Sequence, residues 1–152
     1  MKTKEYVADV LEVEMKSTIA DWLRRADSEP DIMAIAMTPA ERSAHLPEMF
    51  RDLVVRLRNP LPLGTRALSS DAAHDHGLCR REQGYTPAMM VVESRMLQVS
   101  IFHTLQLNLQ KLDTNVVLVD VMAIADEVDS QLAQAMTSYI LEADADGAPV
   151  EP

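Results

Sequence analysis

The sequence predicts an all-α protein: an antiparallel bundle of about five helices with a long C-terminal helix, or alternatively a globin-like helical arrangement. Apolar residues recur every three or four positions along most of the chain, which is the helical period. Proline, serine and threonine stand where helices should begin, and the one stretch that alternates with the period of a strand has no partner strand.

The composition fits one soluble domain. The chain has 152 residues, of which 47% are hydrophobic, and this is enough for one core. The formal net charge of −10 argues against nucleic-acid and anionic-membrane partners, because both are bound by clustered lysine and arginine. No apolar run approaches the roughly 18 residues of a membrane span, and no leader segment is evident, so we expect a cytoplasmic protein.

The first third of the chain should form one helix and two short elements. An amphipathic helix is expected from residue 3 to about residue 26, and it stops before Pro30. The apolar run 32–37 is too short to classify and is interpreted as irregular or as a single turn. Residues 38–41 read Thr-Pro-Ala-Glu, a capping box that begins the next short helix.

Three helices should follow. The segment 46–57 has the clearest one-sided apolar pattern in the chain. Ser69 or Ser70 caps the next helix, and Gly84 ends it in the left-handed conformation that glycine tolerates best. Another helix begins almost at once and runs over about 87–112. Because so few residues join these last two helices, we expect them to pair as an antiparallel hairpin.

The last helix, from about residue 116 to 143, is predicted to be the longest. Its apolar residues are separated alternately by three and four positions, which is the spacing of a coiled-coil seam. The spacing leaves open whether the seam packs within the chain or against another copy, and the second choice predicts a homodimer. We assign residues 1–143 to a single domain and residues 144–152 to a disordered tail or linker. The seam residues are Leu118, Val121, Ala125, Val128, Leu132, Ala135 and Tyr139.

The candidate site is a polar cluster of His76, Arg80 and Glu93. His76, Gly77 and Arg80 share one helical face, and Gly77 in a helix interior costs about 1 kcal/mol relative to alanine, so close packing on a neighbouring backbone is expected. Glu93 on the next helix is the carboxylate that should pair with Arg80, with His76 beside it. The simpler interpretation is that the trio fixes the helix register. The functional alternative is a polar pocket that binds a small molecule or takes up a proton on His76.

No residues in the sequence indicate an enzyme, a metal site or a cofactor. His74 and His76 are two positions apart and point to different sides of a helix, and His76, Cys79 and His103 make only a loose set of metal ligands. A glycine-rich phosphate loop, a nucleophile elbow and a pair of catalytic carboxylates are all missing from the sequence. We therefore predict a protein with no catalytic residues and no cofactor.

The segment that begins at His76 has the pattern His-Gly-x-x-Arg-x-x-x-Gly-Tyr, which ends at Tyr85 and is followed by Glu93. Over residues 76–97 the chain resembles the N-terminal domain of RsbRD-type RsbT co-antagonists, and similar domains precede histidine kinases. The resemblance implies an all-helical input domain that controls an attached or separate output domain in bacterial stress signalling. No STAS or kinase catalytic region is present in the sequence, so the output partner is not identified.

The competing interpretation is a histidine phosphotransfer domain, which is also a helical bundle. Such a domain needs an exposed histidine with a lysine nearby, whereas His76 is followed by Gly77 and has no adjacent lysine. Exposure of His74 or His76 would therefore distinguish the two functions. On balance the sequence predicts a non-catalytic sensory or regulatory domain that forms a homodimer.

Overall fold

The computed structural model describes residues 4–64 and 69–147, with only the backbone described at positions 143, 146 and 147. The described residues form eight α-helices and one short 3-10 helix, and no strand occurs among them. One isolated β-bridge joins Glu5 to Leu112. The predicted all-α class, with a long C-terminal helix, is therefore confirmed.

The helices follow one another with short connections. A 3-10 helix, Leu109–Lys111, lies between the last two. In chain order the α-helices are α1 Val7–Val13, α2 Met15–Asp27, α3 Pro30–Met33, α4 Pro39–Arg42, α5 Leu46–Arg58, α6 Asp71–Glu82, α7 Pro87–Leu107 and α8 Val117–Gly147.

The single helix predicted for the N-terminal third is two helices that meet at Glu14. The carbonyl oxygen of Glu14 accepts hydrogen bonds from the hydroxyls of Ser17 and Thr18, at 3.0 and 2.8 Å. Hydroxyl groups that bond to backbone carbonyls in this way are known to bend helices. The helix also begins later than predicted, at Val7, because the Glu5 amide donates to the carbonyl of Lys111 at the end of the 3-10 helix.

The predicted helix starts and turns agree with the structure at three places. The Thr38 side chain accepts from the Glu41 amide at the start of α4, and the Ser70 side chain accepts from the Ala73 amide at the start of α6. Gly84 has a φ of +90°, so the left-handed end of α6 is confirmed. These are local signals, in which one side chain or one missing Cβ decides the backbone conformation.

Two predicted helix ends are wrong. The helix α7 ends at Leu107 rather than near 112, because the amide of the Asn108 side chain donates to the Thr104 carbonyl and the chain then tightens into the 3-10 turn. The helix α8 continues to Gly147, so residues 144–147 of the predicted tail are helical. The remainder of that tail, 148–152, lies outside the described residues.

The long helix α8 is the main packing partner of α6. The sequence predicts that α6 pairs with α7 as a hairpin, and this pairing is wrong. The helix α6 lies along α8, while α7 packs on α2 and α8. Gly77 explains this arrangement: a Cβ at that position would lie 2.0 Å from the carbonyl oxygen of Ala135. The missing side chain lets the backbones of α6 and α8 approach closely. Close packing at Gly77 was predicted, and the neighbouring backbone is that of α8.

The core consists of a large cluster formed mainly by α1, α2, α5, α7 and α8 and a smaller one around Tyr85, Met90 and Tyr139. The predicted seam of α8 faces this core along much of its length. Its residues Val128 and Ala135, with Tyr139, are buried by the chain itself, whereas Leu118 is 68% exposed. Intrachain packing therefore accounts for the C-terminal half of the seam.

Candidate functional site

The candidate site lies at the corner between α6 and α7. Gly84 ends α6, the Tyr85 amide donates to the Arg80 carbonyl, and Thr86 caps α7 by accepting from the Met89 amide. This tight corner buries Tyr85 and directs the end of α6 and the first turns of α7 to one place.

Arg80 and Glu93 form the buried ion pair that the sequence predicts. The Arg80 Nε donates to Glu93 Oε1 at 2.9 Å, and Arg80 Nη2 lies 3.3 Å from Glu93 Oε2. The two residues are only 1% and 3% exposed. His76 lies beside them, with its Nε2 3.9 Å from Glu93 Oε1, a distance too long for a hydrogen bond. The structure thus brings all three predicted residues together.

Two further residues complete the cluster, and sequence reasoning did not assign either of them to the site. The Tyr85 hydroxyl donates to Glu93 Oε2 at 2.8 Å, and Arg42 Nη1 donates to the Tyr85 hydroxyl at 2.6 Å. Arg42 also donates to two carbonyls at and just after the end of α3, and its own carbonyl accepts from Arg80. Tyr85 is the last residue of the His-Gly-x-x-Arg-x-x-x-Gly-Tyr pattern, and its place in that pattern could have indicated that it belongs to the site. Arg42 follows a capping box, and nothing local marks it as buried.

Two hydrogen bonds connect this corner to other helices. The Trp22 Nε1 of α2 donates to the Glu93 carbonyl at 3.0 Å. The Tyr139 hydroxyl of α8 donates to the Tyr85 carbonyl at 2.6 Å. Tyr85 therefore contacts the charged cluster through its hydroxyl and α8 through its backbone.

Burial controls the ionisation of the cluster. Loss of solvent lowers the pKa of His76 to about 3, assisted by the positive charge of Arg80 and by His45. Burial raises the pKa of Glu93, whereas the charge of Arg80 and the hydrogen bond from Tyr85 oppose that rise. Burial, together with the negative charge of Glu93, raises the pKa of Tyr85 to about 12. At neutral pH the His76 ring is consequently uncharged.

A cavity of about 30 Å³ lies against the cluster, where α2, α5, α6, α7 and α8 meet. His76 and Glu93 contribute to its wall, and apolar side chains such as Leu97 and Val128 form most of the remainder. The Nδ1 of His76 is buried and has no hydrogen-bond partner among the described residues. A buried ring nitrogen without a partner is uncommon in folded proteins.

The other candidate ligand residues do not assemble into a metal site. His74 is exposed on α6, while Cys79 Sγ lies 3.9 Å from His45 Nε2. Burial and nearby carboxylates raise the pKa of the Cys79 thiol, which disfavours the reactive thiolate. Within the described part of the chain, no three histidine, cysteine or acidic side chains converge as a metal-binding group.

A second buried polar cluster lies between α5 and α8, and no pattern in the sequence indicates it. Arg56 is 1% exposed and its Nη2 donates to Asp126 Oδ2 at 3.0 Å. Burial raises the pKa of the neighbouring Glu127 to about 7; Arg56 opposes the rise, while Asp52 and Asp126 add to it. The apolar spacing around Arg56 and around Glu127 does not indicate that these charged residues are buried.

Comparisons of the chain with protein-family models, with curated proteins and with solved structures found no match. Of the helices in residues 4–64 and 69–147, none combines the length and apolar character needed to cross a membrane. The fold and the cluster therefore define the candidate site on their own. Chemically, the cluster is a buried network of charges and hydrogen bonds that joins three helices, and no activated nucleophile lies within it.

Proposed function

We propose that the chain is a non-catalytic sensory or regulatory input domain of a bacterial signalling protein, in which the corner cluster controls the position of α8. The observation that carries this proposal is the position of Tyr85. Its hydroxyl binds the Glu93 carboxylate, and its carbonyl accepts from Tyr139 on α8. A change in the cluster that moves Tyr85 therefore breaks one of these two hydrogen bonds or moves α8 with it.

The energetics of the cluster suit a regulatory element. Arg42, Arg80 and Glu93 are held away from water, and removing one partner from such a network leaves an uncompensated charge. Packed interfaces of this kind have discrete arrangements rather than a continuous range. The close approach of Gly77 to Ala135 means that a shift of α6 also displaces α8.

The helix α8 is also the element that could contact a partner. Its exposed apolar residues Leu118, Val119 and Met122 lie near its start, and Ile140 and Leu141 lie near its end. Exposed apolar side chains that lie close together on a helix, such as Leu118 and Met122 four positions apart, favour association with another protein surface. We propose that a second copy of the chain or a signalling output domain covers them, in an RsbR-like or histidine-kinase system in the cytoplasm.

Histidine phosphotransfer is the alternative function, and the exposed His74 is the observation that favours it. Two features count against it. His76 is only 8% exposed, and His74 has Asp71 and Asp75 close in sequence on the same helix, which would repel a phosphoryl group. Incubation with phosphoramidate followed by ³¹P NMR tests it directly, because a phosphohistidine lost in His74→Gln would replace the regulatory proposal.

Hydrogen–deuterium exchange of Glu93→Gln tests the proposed link to α8. We expect faster exchange at the α6–α7 corner and also in α8 around Tyr139, while α1 keeps its native rate. The matched control is Glu12→Gln, which changes an exposed carboxylate of α1. Faster exchange at the corner alone, with α8 unchanged, would refute control of α8.

Light scattering over a range of concentrations tests the proposed homodimer, and a strict monomer would refute that part of the proposal.

A further inference from the structure

The cavity beside His76 is small and mostly apolar, and the buried Nδ1 of His76 has no hydrogen-bond partner among the described residues. Its volume of about 30 Å³ exceeds the roughly 10–15 Å³ that one water requires, and it is far smaller than the roughly 150 Å³ of cavities that bind benzene. Its occupant is therefore limited to about two non-hydrogen atoms.

The surroundings exclude a charged occupant. The Glu93 carboxylate already accepts from Arg80 and Tyr85, so it is not free to balance a cation. The wall contributed by Trp22, Leu97 and Val128 offers no compensation for an anion. An uncharged molecule avoids both desolvation costs.

The His76 ring determines which hydrogen bond the occupant makes. Its Nε2 faces the negatively charged Glu93 Oε1 at 3.9 Å, which favours the tautomer with the proton on Nε2. The Nδ1 then carries a lone pair and requires a donor. Gln131 lines the same cavity, and since its Nε2 donates to the Met49 carbonyl, its side-chain oxygen is a second acceptor.

We propose that this cavity binds one small uncharged hydroxyl compound, either water or a one-carbon alcohol, which donates a hydrogen bond to Nδ1 of His76. The regulatory meaning of such a ligand rests on the function proposed above, because it would occupy the space next to the Arg80–Glu93 pair. Binding itself is independent of any response of α8 and is measured separately.

Methanol is the probe, titrated into the ¹⁵N-labelled full chain and followed by NMR. We expect saturable shifts at the amides of Glu93, Leu97 and Ala135, and loss of a water-to-amide cross-relaxation signal that is present at the same amides beforehand. A water signal without a methanol effect identifies water as the ligand. Absence of both, or shifts that grow linearly without saturation, would overturn the proposal.

The matched variants are Val128→Ile and Val55→Ile. The first adds a methyl group inside the cavity, and the second adds the same group at an exposed position of α5. We expect the apparent affinity for methanol to fall at least about tenfold in the first and to stay unchanged in the second. Equal binding of methanol by both variants would overturn the assignment.

The larger alcohol 2-propanol is a size control that requires no variant. Saturable binding of 2-propanol at these amides would also contradict the proposal.

The two proposals fail in different measurements. Saturable binding of methanol to the native chain, together with unchanged exchange of α8 in Glu93→Gln, would remove the regulatory function and leave the ligand site. Control of α8 by Glu93 without ligand binding would leave the function and remove the site.

Discussion

The carbonyl oxygen of Ala135 occupies the place that a Cβ of Gly77 would need, with only 2.0 Å between the two positions. In an open helix, Gly→Ala stabilises by about 1 kcal/mol because alanine is the better helix former. Here we expect Gly77→Ala to lower the free energy of unfolding by about 3 kcal/mol, because α6 and α8 must separate. Urea unfolding monitored by circular dichroism measures the change.

The control for this prediction is Ser138→Ala, alone and combined with Gly77→Ala. Ser138 Oγ would lie 2.2 Å from the added Cβ, but the backbone oxygen of Ala135 stays in place in every variant. The double variant should therefore regain little stability. An increase in stability of Gly77→Ala over the native chain would contradict the close approach of the two helices.

Glu93→Gln tests the burial of the Arg80–Glu93 pair. The substitution keeps the shape of the side chain but leaves the buried guanidinium of Arg80 without its carboxylate, so we expect a loss of about 3 kcal/mol in unfolding free energy. The matched control is Glu12→Gln, whose pair with Arg58 is exposed and should leave the stability nearly unchanged. Equal transition midpoints for the two variants in thermal unfolding would show that the Arg80 pair is not buried.

Tyr139→Phe removes the hydrogen bond that joins α8 to the corner. The variant keeps the ring in the core and deletes only the donor to the Tyr85 carbonyl, so a loss of about 1–2 kcal/mol is expected. Tyr6→Phe is the control, because Tyr6 is 77% exposed. In hydrogen exchange, Tyr139→Phe should also accelerate the amides of α8 near Ala135. Unchanged exchange there would show that this bond does not hold the helix.

The part of the site that the sequence predicts is the part determined by one or two helices. Arg80 and Glu93 meet because each lies on the buried face of its helix and the Gly84 corner brings the end of one helix to the start of the other. Arg42 could not be predicted in the same way. It reaches the cluster only because α3 and α4 fold back over the corner, and this is a contact between residues 43 positions apart.

The packing partner of α6 illustrates a second limit of sequence patterns. The short connection between α6 and α7 keeps the end of the first helix close to the start of the second. It does not determine which helix covers the small-residue face of α6. That face, at Gly77, is covered by α8, which is 31 residues long and offers the backbone of Ala135. Helix existence and caps are thus local properties, whereas partner choice depends on the whole core.

The His76 ring should destabilise the fold in acid. Its pKa is about 3 in the folded protein and 6.5 as its ordinary value, so between these pH values the unfolded chain binds a proton that the folded chain does not. Stability from this group is present above about pH 6.5 and is lost as the pH falls, by up to about 1.4 kcal/mol per pH unit. We expect His76→Gln to flatten the acid limb of a stability–pH curve relative to the native chain. Parallel curves would contradict a neutral buried imidazole.

Glu127 should act in the opposite direction. Its pKa is about 7 when folded against an ordinary value of 4.5, so over this window the folded chain keeps a proton that the unfolded chain has released. Raising the pH through the window therefore lowers the contribution of Glu127 to the stability, by up to about 1.4 kcal/mol per pH unit, and this loss levels off above pH 7. Glu127→Gln should remove this slope and be more stable than the native chain at pH 8, because a neutral amide needs no proton.

The control is Glu82→Gln at an exposed position of α6, which should keep the native slope. Stability–pH curves of the native chain and of Glu127→Gln that run parallel from pH 5 to pH 8 would show that Glu127 is already ionised at the lower pH.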